Sequence, residues 1–235
     1  MDDPFRYARY QMQFLSREPE WLSLMDTVRT CKSILDLGSG DGRNSFHLGR
    51  VMPSARLVAF DLSMIRCRTC RSLTGKEVVC GDAMHLPFAD RSFDMIVSTQ
   101  VIEHVPDDSG FVREAERVLK PGGCLVVSSV IRLPYGWYFY RNQGRWVLDP
   151  THVREYRSAK EFLTLFEDRF NIVRAASSPV HYSPARFLYR VLAKAGWIRQ
   201  PDRNVFSSTK WGVRMESLVI PVPGYRNIVM LAEKK

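Results

Sequence analysis

Ile34-Leu35-Asp36-Leu37-Gly38-Ser39-Gly40-Asp41-Gly42 is an apolar strand that runs into three alternate glycines, with a carboxylate just ahead of them. Glycines in a turn after a strand let backbone approach a ligand closely. Dinucleotide sites use Gly-x-Gly-x-x-Gly and seat a pyrophosphate on the following helix N-terminus. Here the spacing is Gly-x-Gly-x-Gly, and Asp36 and Asp41 bring negative charge. Such a loop repels a polyanion and attracts a ligand that carries an ammonium and a sulfonium.

Outward from this stretch, strands alternate with helices. Short β-rich runs at 33–37, 56–60, 77–79, 93–98 and 123–130 are separated by helical patterns at 43–51, 63–72 and 108–119. That alternation predicts an α/β fold, a mostly parallel sheet with helices on both faces. Phe111, Val112, Ala115, Val118 and Leu119 recur at helical spacing, and the helix is expected to stop at Lys120-Pro121-Gly122-Gly123. A further helix is expected from Ser158 to about Asp168, then strands at 170–175 and 226–232. Three stretches of one domain are expected: a helical cap over 1–30, a cofactor-binding core over 31–130, and a substrate-side part over 131–235 with an insertion at 177–225. Within that insertion, 185–199 reads as a basic amphipathic helix that can lie on an anionic membrane.

The charge is divided as sharply as the pattern. Residues 1–130 hold 16 Lys and Arg against 17 Asp and Glu, net −1, whereas 131–235 hold 18 against 8, net +10. This asymmetry suggests an anionic partner for the C-terminal part: an acidic substrate, a nucleic acid or a membrane surface. No apolar run approaches the roughly 20 residues of a spanning helix, and the acidic start Met1-Asp2-Asp3-Pro4 lacks the regions of a signal peptide. Five cysteines in this chain do not look like a disulfide framework, so a cytoplasmic protein is expected. Cys67 and Cys70 have metal spacing but no second pair at zinc-like distance, and no metal site is expected.

In an open parallel sheet, ligands sit at the C-terminal ends of the strands. That rule gathers Asp36, Gly38, Ser39 and Gly40 after the first strand, Asp61 and Leu62 at the second, Asp82 and Ala83 after the third, and Gln100 at the fourth. Asp61, about 20 residues beyond the glycines, suits two ribose hydroxyls. Asp82 can accept from an adenine amine, and the Ala83 N–H can face a ring nitrogen. Together with the acidic loop, these positions point to S-adenosylmethionine as the cofactor.

The chain resembles the class I S-adenosylmethionine-dependent methyltransferases, type 11 group. The resemblance rests on residues 34–42, Phe60-Asp61-Leu62-Ser63, 81–88, Ser92-Phe93-Asp94-Met95-Ile96, Val101-Ile102-Glu103-His104-Val105 and 117–123, which follow the family's order across residues 33–130. It implies a Rossmann-like seven-stranded sheet whose last strand runs antiparallel. It also implies a cofactor held by the residues gathered above.

Methyl transfer is an in-line displacement at an activated methyl, so positioning dominates and a base is needed only where the acceptor must lose a proton. His104 follows the fourth strand and is a candidate base, the alternative being a structural or cofactor-side role. Asp149-Pro150-Thr151-His152-Val153-Arg154-Glu155-Tyr156 resembles the family segment that borders the acceptor pocket. There His152 and Tyr156 are candidates to bind or deprotonate an acceptor, and Arg154 to hold an anionic group; the alternative is that His and Tyr cap and pack the approach to the next helix. The aromatic and basic run 135–146, with Tyr135 and Trp137, reads either as a lid over an apolar acceptor or as core for the C-terminal part. The leading expectation is a methyltransferase acting on a small or lipid-linked, anionic metabolite such as a quinone-like ring or a sugar. An RNA methyltransferase using the basic half for phosphate contacts, and a non-catalytic partner protein of the same fold, are the alternatives.

Overall fold

The computed structural model describes residues 18–27, 31–138, 140–142, 144–182 and 219–235. A 3-10 segment at Glu20–Thr27 leads to β1 (Ser33–Leu37), α1 (Arg43–Val51), β2 (Arg56–Asp61), α2 (Met64–Thr74), β3 (Glu77–Cys80), β4 (Phe93–Thr99), α3 (Asp108–Val118) and β5 (Leu119–Arg132). The chain continues through a small hairpin, β6 (Tyr140–Asn142) and β7 (Arg145–Val147), to α4 (Ala159–Glu167), β8 (Phe170–Tyr182) and β9 (Ile220–Lys234). Seven strands pair in the order β3-β2-β1-β4-β5-β9-β8. The first five are parallel, and β9 runs antiparallel to both β5 and β8. This is the doubly wound sheet expected from the sequence, with its order reversing between β1 and β4, where such sheets open a ligand crevice.

Side-chain alternation along the central strands supplies two cores. Leu35, Leu37, Ile96 and Leu125 pack with Phe111, Val112, Phe162 and Phe166 from α3 and α4. Ile34, Met95, Val97 and Val126 face the other way and pack with Trp21, Leu24 and Leu48. Each fully buried large side chain contributes roughly 1.5–3 kcal/mol, which fixes the ends of β1 and β4 relative to one another. Local caps set the helix starts: Ser63, Asp107 and Ser158 each accept an N–H of the first turn with the side chain. Helix α1 instead begins at Gly42, φ 97°, without a side-chain cap.

Three features depart in extent from the sequence expectation. The turn at Lys120–Gly123 lies inside β5 as an irregularity: Phe93 pairs with Leu119 and Met95 with Cys124, so the extra residues loop out with Gly122 at φ 68°. Strands β8 and β9 are longer than expected. Ser177 pairs with Ile228 and Tyr182 with Ile220, so both ends of the anticipated insertion are sheet. Of the anticipated cap, Trp21 and Leu24 pack beneath the sheet, and Trp21 Nε1 donates to Asn44 Oδ1 at 3.0 Å. Residues 1–17 and 28–30 and the amphipathic stretch 185–199 lie outside the described residues.

Candidate active site

The glycine loop is pinned to the end of β2. The N–H groups of Gly38 and Ser39 both donate to the Phe60 carbonyl, at 2.7 and 2.9 Å. Gly40 N–H donates to Asp61 Oδ2 at 2.8 Å, and Ser63 N–H to Asp61 Oδ1 at 2.9 Å. Gly38 has φ 80°, and a Cβ there would lie 2.2 Å from Val101 Cγ2. Only glycine meets both demands. The contact also ties the loop after β1 to the turn after β4.

Around this loop the structure leaves buried acceptors unsatisfied. Asp36, fully buried on the Ile34 face of β1, accepts from Ser45 Oγ at 2.5 Å through Oδ2, while its Oδ1 has no partner. Ser39 Oγ and Asp41 Oδ2 are also buried without partners. Orphaned buried polar atoms are rare in native proteins and call for a ligand or other explanation. Burial drives the Asp36 carboxyl up to about 7, with Asp61 adding to the rise against the Ser45 hydrogen bond. Burial raises Asp41 to about 6 despite the Arg66 guanidinium. A cationic ligand relieves both. The acceptor set fits the ammonium and sulfonium of S-adenosylmethionine, and it does not fit a pyrophosphate.

The other expected cofactor positions line the neighbouring strand ends. Asp82 Oδ1 accepts from Met84 N–H at 2.9 Å, and its Oδ2 lies 3.3 Å from His85 Nδ1. Ala83 packs against the core, whereas Leu62 is exposed. Gln100 holds φ 56°, unusual for a residue with a side chain, and is braced by Ser128, whose carbonyl accepts its N–H at 3.1 Å.

A second cluster follows β4. Glu103 is fully buried; Oε2 accepts from Ser129 Oγ at 2.9 Å, and Oε1 has no partner. Its carbonyl accepts from Val153 N–H and Arg154 N–H, which docks the 149–156 segment on this turn. The rings of His104 and His152 meet edge-on, 4.8 Å between centroids. His104 Nδ1 faces the Thr151 carbonyl at 3.2 Å and Thr151 Oγ1 at 3.0 Å. Thr151 Oγ1 gives its own proton to Asp149 at 2.6 Å. Both neighbours of His104 Nδ1 are therefore acceptors, and Nδ1 is the protonated nitrogen. His152 Nδ1 faces Glu155 Oε1 at 2.7 Å, with both side chains buried.

The two imidazoles are driven apart. Burial, then the neighbouring His152, lowers His104 to about 4. Burial acts to lower His152 as well, but the Glu155 hydrogen bond and the fields of Glu103 and Glu155 outweigh it and raise its pKa. Burial pushes the Glu103 carboxyl up to about 7 against the attraction of His152.

Arg154 and Tyr156 are not brought to this cluster as free groups. The Arg154 guanidinium donates to the carbonyls of Ile102, Val105 and Pro106 and lies 3.4 Å from Asp108. Tyr156 is buried against Phe162 and donates its hydroxyl to Asp108 at 3.3 Å. Burial raises its pKa further. Both residues brace the turn that carries Glu103 and His104, because carbonyls of a tight turn and a buried phenol need these partners. The aromatic run divides: Tyr138 is buried with Val130, Val222 and Tyr225, while Tyr135 and Trp137 are exposed at 68% and 55%. Arg141 stacks its guanidinium 4.9 Å from the Trp146 ring. Cys67 and Cys70 are buried on α2 with Ala59 and Val78.

Glu155 and Ser129 have no counterpart in the sequence reading. The i, i+3 spacing of His152 and Glu155 was the one local signal for the pair.

Comparison with known proteins bears on this site. Residues 35–127 match a family described as a methyltransferase domain. A malonyl-[acyl-carrier protein] O-methyltransferase of Legionella pneumophila is 34% identical over 55% of this chain and 46% of its own length. A phthiotriol/phenolphthiotriol dimycocerosates methyltransferase of Mycobacterium ulcerans is 33% identical over 42% of this chain and 38% of its own. The chain spans less than half the length of these curated relatives. Among solved structures, a SAM-dependent methyltransferase from Methanosarcina mazei superposes with TM-score 0.60 at 19% identity, covering 90% of this chain and 96% of that one. The [4+2]-cyclase SpnF superposes with TM-score 0.61 at 21% identity, covering 99% and 84%. At such identities the likeness is one of fold, which hosts more than one chemistry.

Proposed function

We propose, from the match of residues 35–127 to a methyltransferase-domain family, that this chain is a class I methyltransferase of the type 11 group and transfers a methyl group from S-adenosylmethionine to a small or lipid-linked acceptor. The observation that carries the reading is the trio of orphaned, buried acceptors around the glycine loop, Asp36 Oδ1, Ser39 Oγ and Asp41 Oδ2. Asp36 and Asp41 hold the cationic part, Asp61 takes the ribose hydroxyls, and Asp82 with the Ala83 N–H takes the adenine edge. When bound, the cofactor supplies a methyl already activated by a sulfonium.

The chain's own task is to place the acceptor and exclude water. The Glu103–His104–His152 cluster, on the turn that packs against Gly38 through Val101, borders the acceptor side. The relatives named for lipid or acyl-carrier substrates support an apolar or carrier-linked acceptor. The exposed Tyr135 and Trp137 offer ring surface to such a group, and the excess of basic residues in 131–235 favours an anionic one. No helix among the described residues is long and apolar enough to cross a membrane.

Calorimetry tests the reading. The wild-type chain is expected to bind S-adenosylmethionine, and Asp61→Ala to weaken binding by about 1.5–3 kcal/mol through loss of charge-assisted hydrogen bonds. Folded wild-type protein that binds no cofactor would end the proposal. Incubating extracts with labelled cofactor and following the label by mass spectrometry identifies the acceptor.

A further inference from the structure

Glu103, His104 and His152 each bring one metal-ligating atom to a common point, all within 4.8 Å of one another. Two further features of the cluster are those of a metal centre. Ligating histidines nearly always give their other ring N–H to a carboxylate or a backbone carbonyl. Here His152 gives Nδ1–H to the buried Glu155 carboxylate, and His104 turns Nδ1 to the Thr151 carbonyl. Independently, Glu103 Oε1 is wholly buried and has no hydrogen-bond partner. A buried carboxylate oxygen left in that state costs several kcal/mol unless a cation or donor meets it.

We propose that Glu103, His104 and His152 form a binding site for a divalent first-row transition ion, with Glu155 and Thr151 orienting the two imidazoles from behind. Two imidazole nitrogens and one carboxylate suit zinc or iron rather than magnesium or calcium, which prefer all-oxygen sets. Three protein ligands leave coordination positions open, as in catalytic rather than structural sites. Bond lengths of about 2.0–2.1 Å place tetrahedral ligand atoms about 3.4 Å apart, so the trio closes by at most about 1.4 Å. Rotation of the Glu103 carboxylate and of the half-buried His104 ring supplies that movement. His104 is only partly buried, so the cluster reaches toward the surface. The inference rests on the reading of this face as the acceptor side, where the open positions would take an oxygen of the acceptor.

The test uses the 235-residue chain, dialysed against a chelator and titrated with cobalt(II). Uptake of a single equivalent with visible d–d absorption, displaced by zinc, is expected. Glu155→Gln, which touches no metal, should weaken uptake about 10- to 100-fold, and Glu103→Gln should weaken it more, with circular dichroism confirming that both variants fold. No uptake by the folded wild type, or uptake of equal strength in both variants, overturns the site. Calorimetry with S-adenosylmethionine on the same samples separates the two readings: cofactor binding without cobalt uptake removes the metal site alone, and loss of cofactor binding removes the proposed function.

Discussion

Cofactor binding should depend on pH through Asp36. Its carboxyl is fully buried and sits at about 7 because burial penalises the charged form more than the Ser45 hydrogen bond rewards it. A cation attracts only the ionised carboxylate, so apparent affinity follows the ionised fraction, about 10% at about pH 6 and about 90% at about pH 8. The expected gain from Asp36 alone is close to tenfold, or about 1.4 kcal/mol, and Asp41, raised to about 6, adds about a further factor of two. Binding at the lower pH should release nearly one proton, read from calorimetry in buffers of different ionisation enthalpy. The sign for the free protein is opposite: a raised acid contributes stability below its unfolded value of about 3.9 and loses it as pH rises through about 7. Asp36→Asn should therefore flatten the affinity profile, bind the cofactor more weakly at about pH 8, and stabilise the free protein there. A wild-type affinity that stays level or falls across this range would refute the account, as would an Asp36→Asn profile with the wild-type slope.

Gly38→Ala forces a side chain into φ 80° and onto Val101. The backbone term alone is about 1–2 kcal/mol, and with the clash a fall in Tm of about 4–8 °C is expected for a chain of this size, together with loss of cofactor binding; a variant that melts like wild type and binds normally contradicts it. Asp94 is held down at about 2: burial acts to raise it, but hydrogen bonds from Lys120, Ser33 and Lys32 prevail. A depressed acid contributes above its unfolded value and loses the contribution as pH falls through about 2, so Asp94→Asn should cost about 1–2 kcal/mol near neutrality, shrinking toward zero in strong acid. Urea unfolding across that range checks this, and a gap that persists at about pH 2 sinks it.

The alternation of strands and helices, the glycine loop and the acidic positions at the ends of β1, β2 and β3 are legible in the chain. These depend on local rules: period-2 and period-3.6 burial, and glycines where the loop after β1 turns left-handed or another chain segment crowds it. The same rules place Asp107 and Ser158 at helix starts. What they do not contain is the partner of each side chain. Nothing near Glu103 in the chain announces that Ser129 would take one oxygen and leave the other bare. Nothing in Arg154 or Tyr156 shows that both would reach the 102–108 turn. The full reach of β8 and β9 was likewise hidden, because a strand's length is set by a pairing partner tens of residues away. Burial, and with it the opposite shifts of His104 and His152, follows from which distant segments pack together, and no local pattern carries that.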